Sequence, residues 1–177
     1  TPHNPTGMVY GREFMRDLCL LAKEREIVLM NDEIYERLTY GTRYYNPLVD
    51  APEARDWVVS INGVSKAYAM TGWRVGFALG PSPLIGKIST LQGHITSNAC
   101  SVAQWASVGA IRHAQADVEA MVAEYAQRLE FVHGELSTMP HIGVCKPEGA
   151  FYVFLDLKGC FGKRFNGEEI TGDKDFC

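Results

Sequence analysis

The run Ser60-Ile61-Asn62-Gly63-Val64-Ser65-Lys66-Ala67-Tyr68-Ala69-Met70-Thr71-Gly72-Trp73-Arg74-Val75-Gly76 decides how the rest of the chain is read. Val58, Val59 and Ile61 lead into it as a short β-branched run, the pattern of a buried strand. Asn62 and Gly63 then break the pattern and deliver Lys66 onto a loop. Eight residues on, Arg74 stands between Gly72 and Gly76, small residues that let backbone and a bulky ligand come close. A second strand, Val75 to Leu79, begins beside it. A lone lysine or arginine is usually a solvated surface charge, so the weight of this pair rests on its surroundings.

Upstream, Phe14, Leu18, Leu21 and Ala22 recur at helical spacing between Arg12 and Arg25, with Glu13 early and Lys23 late, in keeping with the helix dipole. Ile27 to Met30 follows as a short strand, and helix then strand is the rhythm of a parallel α/β sheet. Off its end comes Asn31-Asp32-Glu33-Ile34-Tyr35-Glu36, where Asp32 and Tyr35 share a face if the segment turns helically. In open α/β sheets ligands bind outside the carboxyl ends of strands, so a carboxylate and a phenol here are well placed for function. Asp32 as a simple helix N-cap is the competing structural reading. Thr1-Pro2-His3-Asn4-Pro5-Thr6-Gly7 is a turn by composition.

Three of these stretches together resemble the class I aminotransferases, fold type I enzymes that use pyridoxal 5'-phosphate. The stretch from Gly63 to Gly76 matches their cofactor-lysine signature, Asn4-Pro5-Thr6-Gly7 their Asn-Pro-Thr-Gly turn, and Asp32-Glu33-Ile34-Tyr35 their Asp-x-x-Tyr run, in the family's order. The resemblance implies that Lys66 carries the cofactor as a Schiff base, that Arg74 grips its phosphate, and that Asp32 pairs with the protonated pyridine nitrogen as a buried carboxylate. It also implies that Tyr35 and Asn4 hydrogen-bond the ring oxygen and that Asn4 reaches the substrate's α-carboxylate. In such a site the protein sets the electronics of a cofactor that acts as electron sink, and the freed lysine shuttles the proton. Arginine suits the phosphate because its planar fork makes paired, charge-assisted hydrogen bonds. The expected partners are an amino acid, aspartate or a similar one, and a 2-oxo acid. A homodimer in the cytoplasm is expected, because family members tend to build each site from two subunits.

The pattern departs from many relatives at Gly63, where a phosphate-contacting serine is common; the Asn-Gly pair is frequent in the bacterial aspartate aminotransferases. The family's N-terminal phosphate loop, ring-stacking aromatic residue and C-terminal carboxylate-binding arginine have no counterpart here, and Arg112, Arg128 and Arg164 lie in the wrong context to replace the last. The chain is therefore expected to be an internal piece of a longer protein.

Residues 41 to 57 read as a loop, Leu84 to Ile95 and Val102 to Arg112 as helices, and Thr96-Ser97-Asn98 as a family-like loop between them. His94, His113 and Trp105 are assigned to packing. From Ala116 to Leu136 apolar residues hold helical spacing for some twenty residues, long enough to link two domains. Val144 to Lys146 and Phe151 to Leu157 read as strands, and Gly149-Ala150-Phe151-Tyr152-Val153-Phe154 resembles the family's small-domain strand that approaches the site from above. The polar tail from Gly162 to Cys177 resembles the lead-in to a further helix. The fold class expected is α/β, part of the mainly parallel three-layer sheet of the large domain plus the start of an α+β small domain. The divisions are 1-115 for the large domain, 116-138 for the linking helix and 139-177 for the small domain.

Composition narrows the alternatives. With 177 residues, 46% hydrophobic and 21% charged, the chain is ordinary globular material. A net charge of -4 with 17 scattered Lys and Arg argues against a nucleic-acid surface. No stretch approaches the ~18 apolar residues of a membrane span. Five widely spaced cysteines without a Cys-x-x-Cys pair indicate neither a disulfide framework nor a zinc site. No His-Glu-x-x-His, Walker or dinucleotide motif occurs. Ser65-Lys66 does not make a Ser-Lys hydrolase, because Gly63 occupies the place where Ser-x-x-Lys needs its serine. Two readings besides transamination stay open: a lyase or decarboxylase on the same scaffold, and an aminotransferase-like effector-binding domain of a regulator.

Overall fold

The computed structural model describes residues 1–177. Its centre is a three-stranded sheet of β1 (Leu29–Asp32), β2 (Val58–Gly63) and β3 (Gly76–Leu79), in that spatial order. β1 and β2 run parallel, with Asp32 opposite Ile61; β3 returns antiparallel, with Gly76 opposite Gly63. The β-branched run is thus the middle strand, and Val58, Val59 and Ser60 are all buried. The strand foreseen at Ile27 to Met30 begins two residues later. Ile27 N–H still donates to Ala22 O at 2.9 Å, which spends it on closing the preceding helix rather than on the sheet.

That helix, α1 (Arg12–Glu24), buries Met15, Cys19 and Ala22 and leaves Phe14 and Leu21 exposed. The buried stripe lies beside the expected one because of what α1 packs against. Residues 41 to 57, read from composition as a loop, hold a short helix α2 (Pro47–Asp50) and a 3₁₀ turn (Pro52–Trp57). Asn46 caps α2, its side chain accepting from Leu48 N–H at 3.0 Å, and Pro47 starts the helix with no N–H to satisfy. Tyr45, Ala51 and Ala54 from this segment close one core with Met15, Cys19 and Val58.

After β3 come three helices, α3 (Ser82–Ile95), α4 (Ser101–His113) and α5 (Gln115–Thr138). α5 runs unbroken for 24 residues. Met121, Val122 and Tyr125 on α5 pack on a second core of Tyr35, Leu38, Ala67 and Ala150. No helix is long and apolar enough to cross a membrane.

The last forty residues pair less than expected. Of the strand foreseen over Phe151 to Leu157, only β5 (Leu155–Asp156) forms a ladder, with β4 (Gly143–Val144). The preceding stretch is held elsewhere: Ala150 N–H donates to Leu38 O at 2.9 Å, and Tyr40 N–H to Glu148 O at 2.8 Å. The tail holds a hairpin of β6 (Arg164–Phe165) and β7 (Glu168–Glu169) before α6 (Asp173–Phe176). Asn166 and Gly167 at its tip have φ of 49° and 89°, the turn that Asn-Gly favours between strands.

The N-terminal turn is bolted to the chain beyond α5. Glu148 and Gly149 N–H both donate to Gly7 O at 2.9 Å. A Cβ on Gly7 would stand 2.3 Å from Pro147 Cβ, and Gly7 also has φ +71°. We expect Gly7→Ala to lower the unfolding free energy in urea by about 2–3 kcal/mol, from overpacking and a left-handed alanine. Gly86→Ala, in α3 with open space around it, should be neutral or slightly stabilising. Equal midpoints for the two variants would contradict this seam.

Tyr40 OH donates to Ala150 O in the same seam. Burial pushes this phenol up to about 12 from its ordinary 10.0. A raised folded-state value stabilises fully below the unfolded value and is lost as pH climbs through the folded one. Stability should therefore fall from pH about 10 to about 12. Tyr40→Phe should lose less over that window in denaturant titrations at stepped pH, and an unchanged slope would refute the assignment.

Candidate active site

The carboxyl ends of β1 and β2 lie side by side, and the chain leaves both in tight turns. After β1, Glu36 N–H donates to Glu33 O and Leu38 N–H to Tyr35 O, each at 2.8 Å. This brings Tyr35 inward, where it is buried with Leu38. After β2, Met70 N–H donates to Ser65 O at 3.1 Å and Ala69 N–H to Lys66 O at 3.2 Å, so Lys66 sits in a coiled turn. Val64 N–H donates to Val75 O at 3.4 Å and closes the loop that carries both Lys66 and Arg74.

Lys66 Nζ lies 5.7 Å from the centre of the Tyr35 ring and 5.4 Å from that of Phe151. These are cation–π distances. The Phe151 ring stacks on Tyr125 of α5 at 5.6 Å and meets Tyr35 edge-on at 5.4 Å. Lys66 is half-buried and belongs to none of the five ion pairs of the chain, Arg16–Glu53, Arg25–Glu24, Arg43–Asp50, Arg128–Glu124 and Lys146–Glu130. Its amine is therefore held by aromatic faces and not by a carboxylate.

Tyr35 Oη is 2.7 Å from Tyr152 Oη, and Asn4 Nδ2 donates to Tyr152 Oη at 3.4 Å. Burial raises the Tyr35 phenol well above its ordinary value. The bond to Tyr152 raises it further, and the Asp32 carboxylate adds to the effect while Asn4 opposes it. Tyr35 therefore stays a protonated donor at neutral pH.

Asn4, Tyr35 and Lys66 are thus brought together; Asp32 and Arg74 stand at the margins. Asp32 is exposed, unlike the buried carboxylate expected there, because β1 is an edge strand and the pleat puts Asp32 on the same open face as Met30. Its Oδ1 accepts from Ile34 N–H at 3.0 Å. Arg74 adopts a left-handed conformation at φ 54°, and its Nη1 donates to Thr71 O at 3.0 Å. It lines an open groove of about 990 Å³ with Thr96, Asn98 and Gln92. A non-glycine residue held at positive φ costs about 1–2 kcal/mol, and such strain clusters at ligand-binding loops.

Two features carry no site role in the sequence motifs. Tyr152 and Phe151 lie in the stretch that resembles the family's strand approaching the site, and the part Tyr152 takes depends on a contact with Tyr35 across 117 positions. Glu33, only 2% exposed, accepts from Ser60 Oγ at 2.5 Å and from Asn31 Nδ2 at 2.8 Å. The one signal for it was a serine inside the apolar run Val58 to Ile61. A buried carboxylate needs such donors, and here they tie β1 to β2 directly beneath Asp32 and Tyr35.

The comparisons with known proteins agree on one family. The family model described as aminotransferase class I and II matches residues 1–167. The chain is 40% identical over 158 residues to an aspartate aminotransferase of Bacillus sp. (strain YM-2), covering 89% of this chain and 40% of that protein. It is 40% identical over 179 residues to a probable aspartate/prephenate aminotransferase of Rhizobium leguminosarum bv. phaseoli, covering 99% of this chain and 45% of that one. The crystal structure of the aspartate aminotransferase from Rhizobium meliloti superimposes with a TM-score of 0.93 at 36% identity, over 100% of this chain and 45% of the other. That from Thermotoga maritima gives 0.82 at 39%, over 90% and 41%. The chain spans under half the length of these relatives, and its mixed α/β architecture is part of the fold type I arrangement. On this match, which takes in all three sequence motifs, the chain belongs to the class I and II aminotransferase family.

Proposed function

We propose that the protein transfers an amino group between an amino acid, aspartate or a close analogue, and a 2-oxo acid, using pyridoxal 5'-phosphate. The observation that carries this reading is the Lys66 amine set against the Tyr35 and Phe151 rings without a carboxylate partner, beside a phenol linked through Tyr152 to Asn4.

The donor set fits the cofactor group by group. Lys66 Nζ is a nucleophile for its aldehyde, Asp32 an anion for its ring nitrogen, Tyr35 and Asn4 donors for its ring oxygen, and Arg74 a cation for its phosphate. Asp32 and Arg74 both face open space, as groups that meet a ligand must. When bound, the cofactor supplies an electron sink for the charge left at the substrate's Cα.

The chain's own residues do the rest. Lys66 would hold the cofactor covalently through Nζ, and the same amine, when free, would accept and hand on the proton of the substrate's Cα. Asp32 would keep the ring nitrogen protonated, since opposite charges at close range stabilise one another. Tyr35 would hydrogen-bond the ring oxygen through its phenol. Asn4 would orient the same oxygen and reach the substrate's α-carboxylate. Phe151, stacked on Tyr125, lies against one side of Nζ.

The same reading divides the chain into a large domain to residue 115, a linking helix over 116-138 and the start of a small domain over 139-177. The unbroken course of α5 between the three-stranded sheet and the two small hairpins supports that division. It also includes a homodimer, supported by the exposure of Trp105 (76%) and Val102 (66%) on α4 and of Leu91 and Ile95 on α3. Large apolar side chains so exposed call for cover. Cytoplasmic residence belongs to the same proposal and is supported by five free cysteines.

The reading is tested in the protein encoded by the complete reading frame. Borohydride should fix pyridoxal phosphate onto the peptide containing Lys66, and label on any other lysine would sink the assignment. Asp32→Asn should keep the cofactor bound while slowing Cα proton removal in single turnovers by a factor on the order of a hundred or more. A rate matching wild type would remove Asp32 from its role.

A further inference from the structure

Along the end of β1 exposure alternates: Met30 and Asp32 are open, while Asn31 and Glu33 are buried. Successive side chains of a strand point to opposite faces. Whatever holds Glu33 on the covered face therefore also holds Asp32 on the open one.

Glu33 is held by more than burial. Its Oε1 accepts from Ser60 Oγ at 2.5 Å and from Asn31 Nδ2 at 2.8 Å. Ser60 stands opposite Asn31 in the parallel ladder, so one oxygen gathers a donor from each strand. Asn31 Nδ2 also donates to Tyr44 Oη at 3.2 Å, which carries the network from the sheet into the segment before α2. Burial raises the Tyr44 phenol, with Glu33 adding to the effect, so the phenol stays protonated. The backbone repeats the anchor. Glu33 N–H donates to Ile61 O at 2.8 Å, and the next amide, Ile34 N–H, donates to Asp32 Oδ1 at 3.0 Å. The peptide group that orients the Asp32 carboxylate is thus the one joining Glu33 to Ile34.

For stability alone, an apolar side chain of similar volume does as well as a buried acid. What the carboxyl adds is direction, because hydrogen bonds fix where a group points and apolar contacts do so only loosely. We propose that Glu33 is a positioning residue: clamped by Ser60 and Asn31 on the covered face of β1, it sets the direction in which Asp32 meets the ring nitrogen of the bound cofactor. This rests on the functional reading above and deepens it, by placing control of that contact on the opposite face of the strand.

The test uses the holoenzyme made from the complete reading frame. Ser60→Ala removes the donor from β2 with little change in volume. In single turnovers of cofactor-saturated enzyme it should slow Cα proton removal roughly three- to thirtyfold, as a displacement of under 1 Å does. In the Asp32→Asn background the same change should alter the rate by less than about twofold, since the group through which Glu33 acts is gone. Glu33→Gln keeps the size but weakens the acceptor, and carries the same comparison if Ser60→Ala does not fold. Met15→Ala, which opens the core under α1, should lower the unfolding midpoint and leave the single-turnover rate of the loaded enzyme unchanged. In cofactor-free protein, amide exchange in the peptide carrying Glu33 and Ile34 should quicken about fivefold or more in Ser60→Ala, which reads the anchor without any activity. Unchanged exchange there overturns the proposal. So do equal losses of rate in the two backgrounds, the mark of a merely structural role, or no loss in either. If borohydride fixes the cofactor to Lys66 in wild type while those losses are equal, this proposal fails alone. If wild type is not fixed at Lys66, the functional reading fails and takes the proposal with it.

Discussion

The seam between the N-terminal turn and residues 147 to 150 is the constraint on which the site depends. Two backbone donors converge on Gly7 O, and the approach is too close for a side chain at Gly7 or Gly149. Because the same stretch also bonds Leu38 and Tyr40, three segments far apart in the chain are pinned around one point. Asn4, Tyr35 and Tyr152 ride on those three segments. Their mutual geometry is therefore set by backbone hydrogen bonds, which vary little, and not by flexible side chains finding each other. That is the arrangement a binding site needs if its donors are to be aimed before the ligand arrives.

Beneath this seam the sheet does a second job. Parallel pairing of β1 and β2 puts both carboxyl ends on one edge, and the turns that leave them carry Asp32, Tyr35 and Lys66. Glu33 stitches the two strands at that edge through Ser60 and Asn31. Burial also keeps the phenol of Tyr44 protonated, with Glu33 adding to the effect. A buried carboxylate with its donors in place favours one arrangement of the strand ends, since any slip in register would strand it unpaired. The antiparallel return of β3 then brings Arg74 back toward the same edge, on the far side of the loop from Lys66.

Much of the surface around these elements is apolar and open. Met30 on β1, Leu79 on β3, Leu91 and Ile95 on α3 and Trp105 on α4 are all well exposed. The relatives this chain matches are more than twice as long, and it covers 40% to 45% of them. The exposure of Asp32 has the same origin as that of Met30, because the two alternate onto one face of an edge strand. The core is correspondingly divided in two, one part under α1 and α2 and the other under α5, each built around a handful of buried side chains.

What the sequence determined by itself was everything carried by local pattern. The β-branched run before Lys66 became the central strand, the helical periodicities became α1, α3, α4 and α5 within a residue or two, and the three motifs named the family. These succeed because backbone preference and hydrophobic period are properties of neighbouring residues. The strand after Gly149 and the loop over residues 41 to 57 were misread for the opposite reason. Phe151 to Phe154 have strand composition but no partner strand, and the loop-like stretch becomes core because α1 offers it a face. Tertiary structure alone decided that Tyr152 links Asn4 to Tyr35, that Glu33 and not Asp32 is the buried acid, and that Arg74 lines an open groove with Gln92, Thr96 and Asn98. Each depends on contacts between residues tens to more than a hundred positions apart, and such contacts are set by how sheet, seam and α5 close together, which no local pattern encodes.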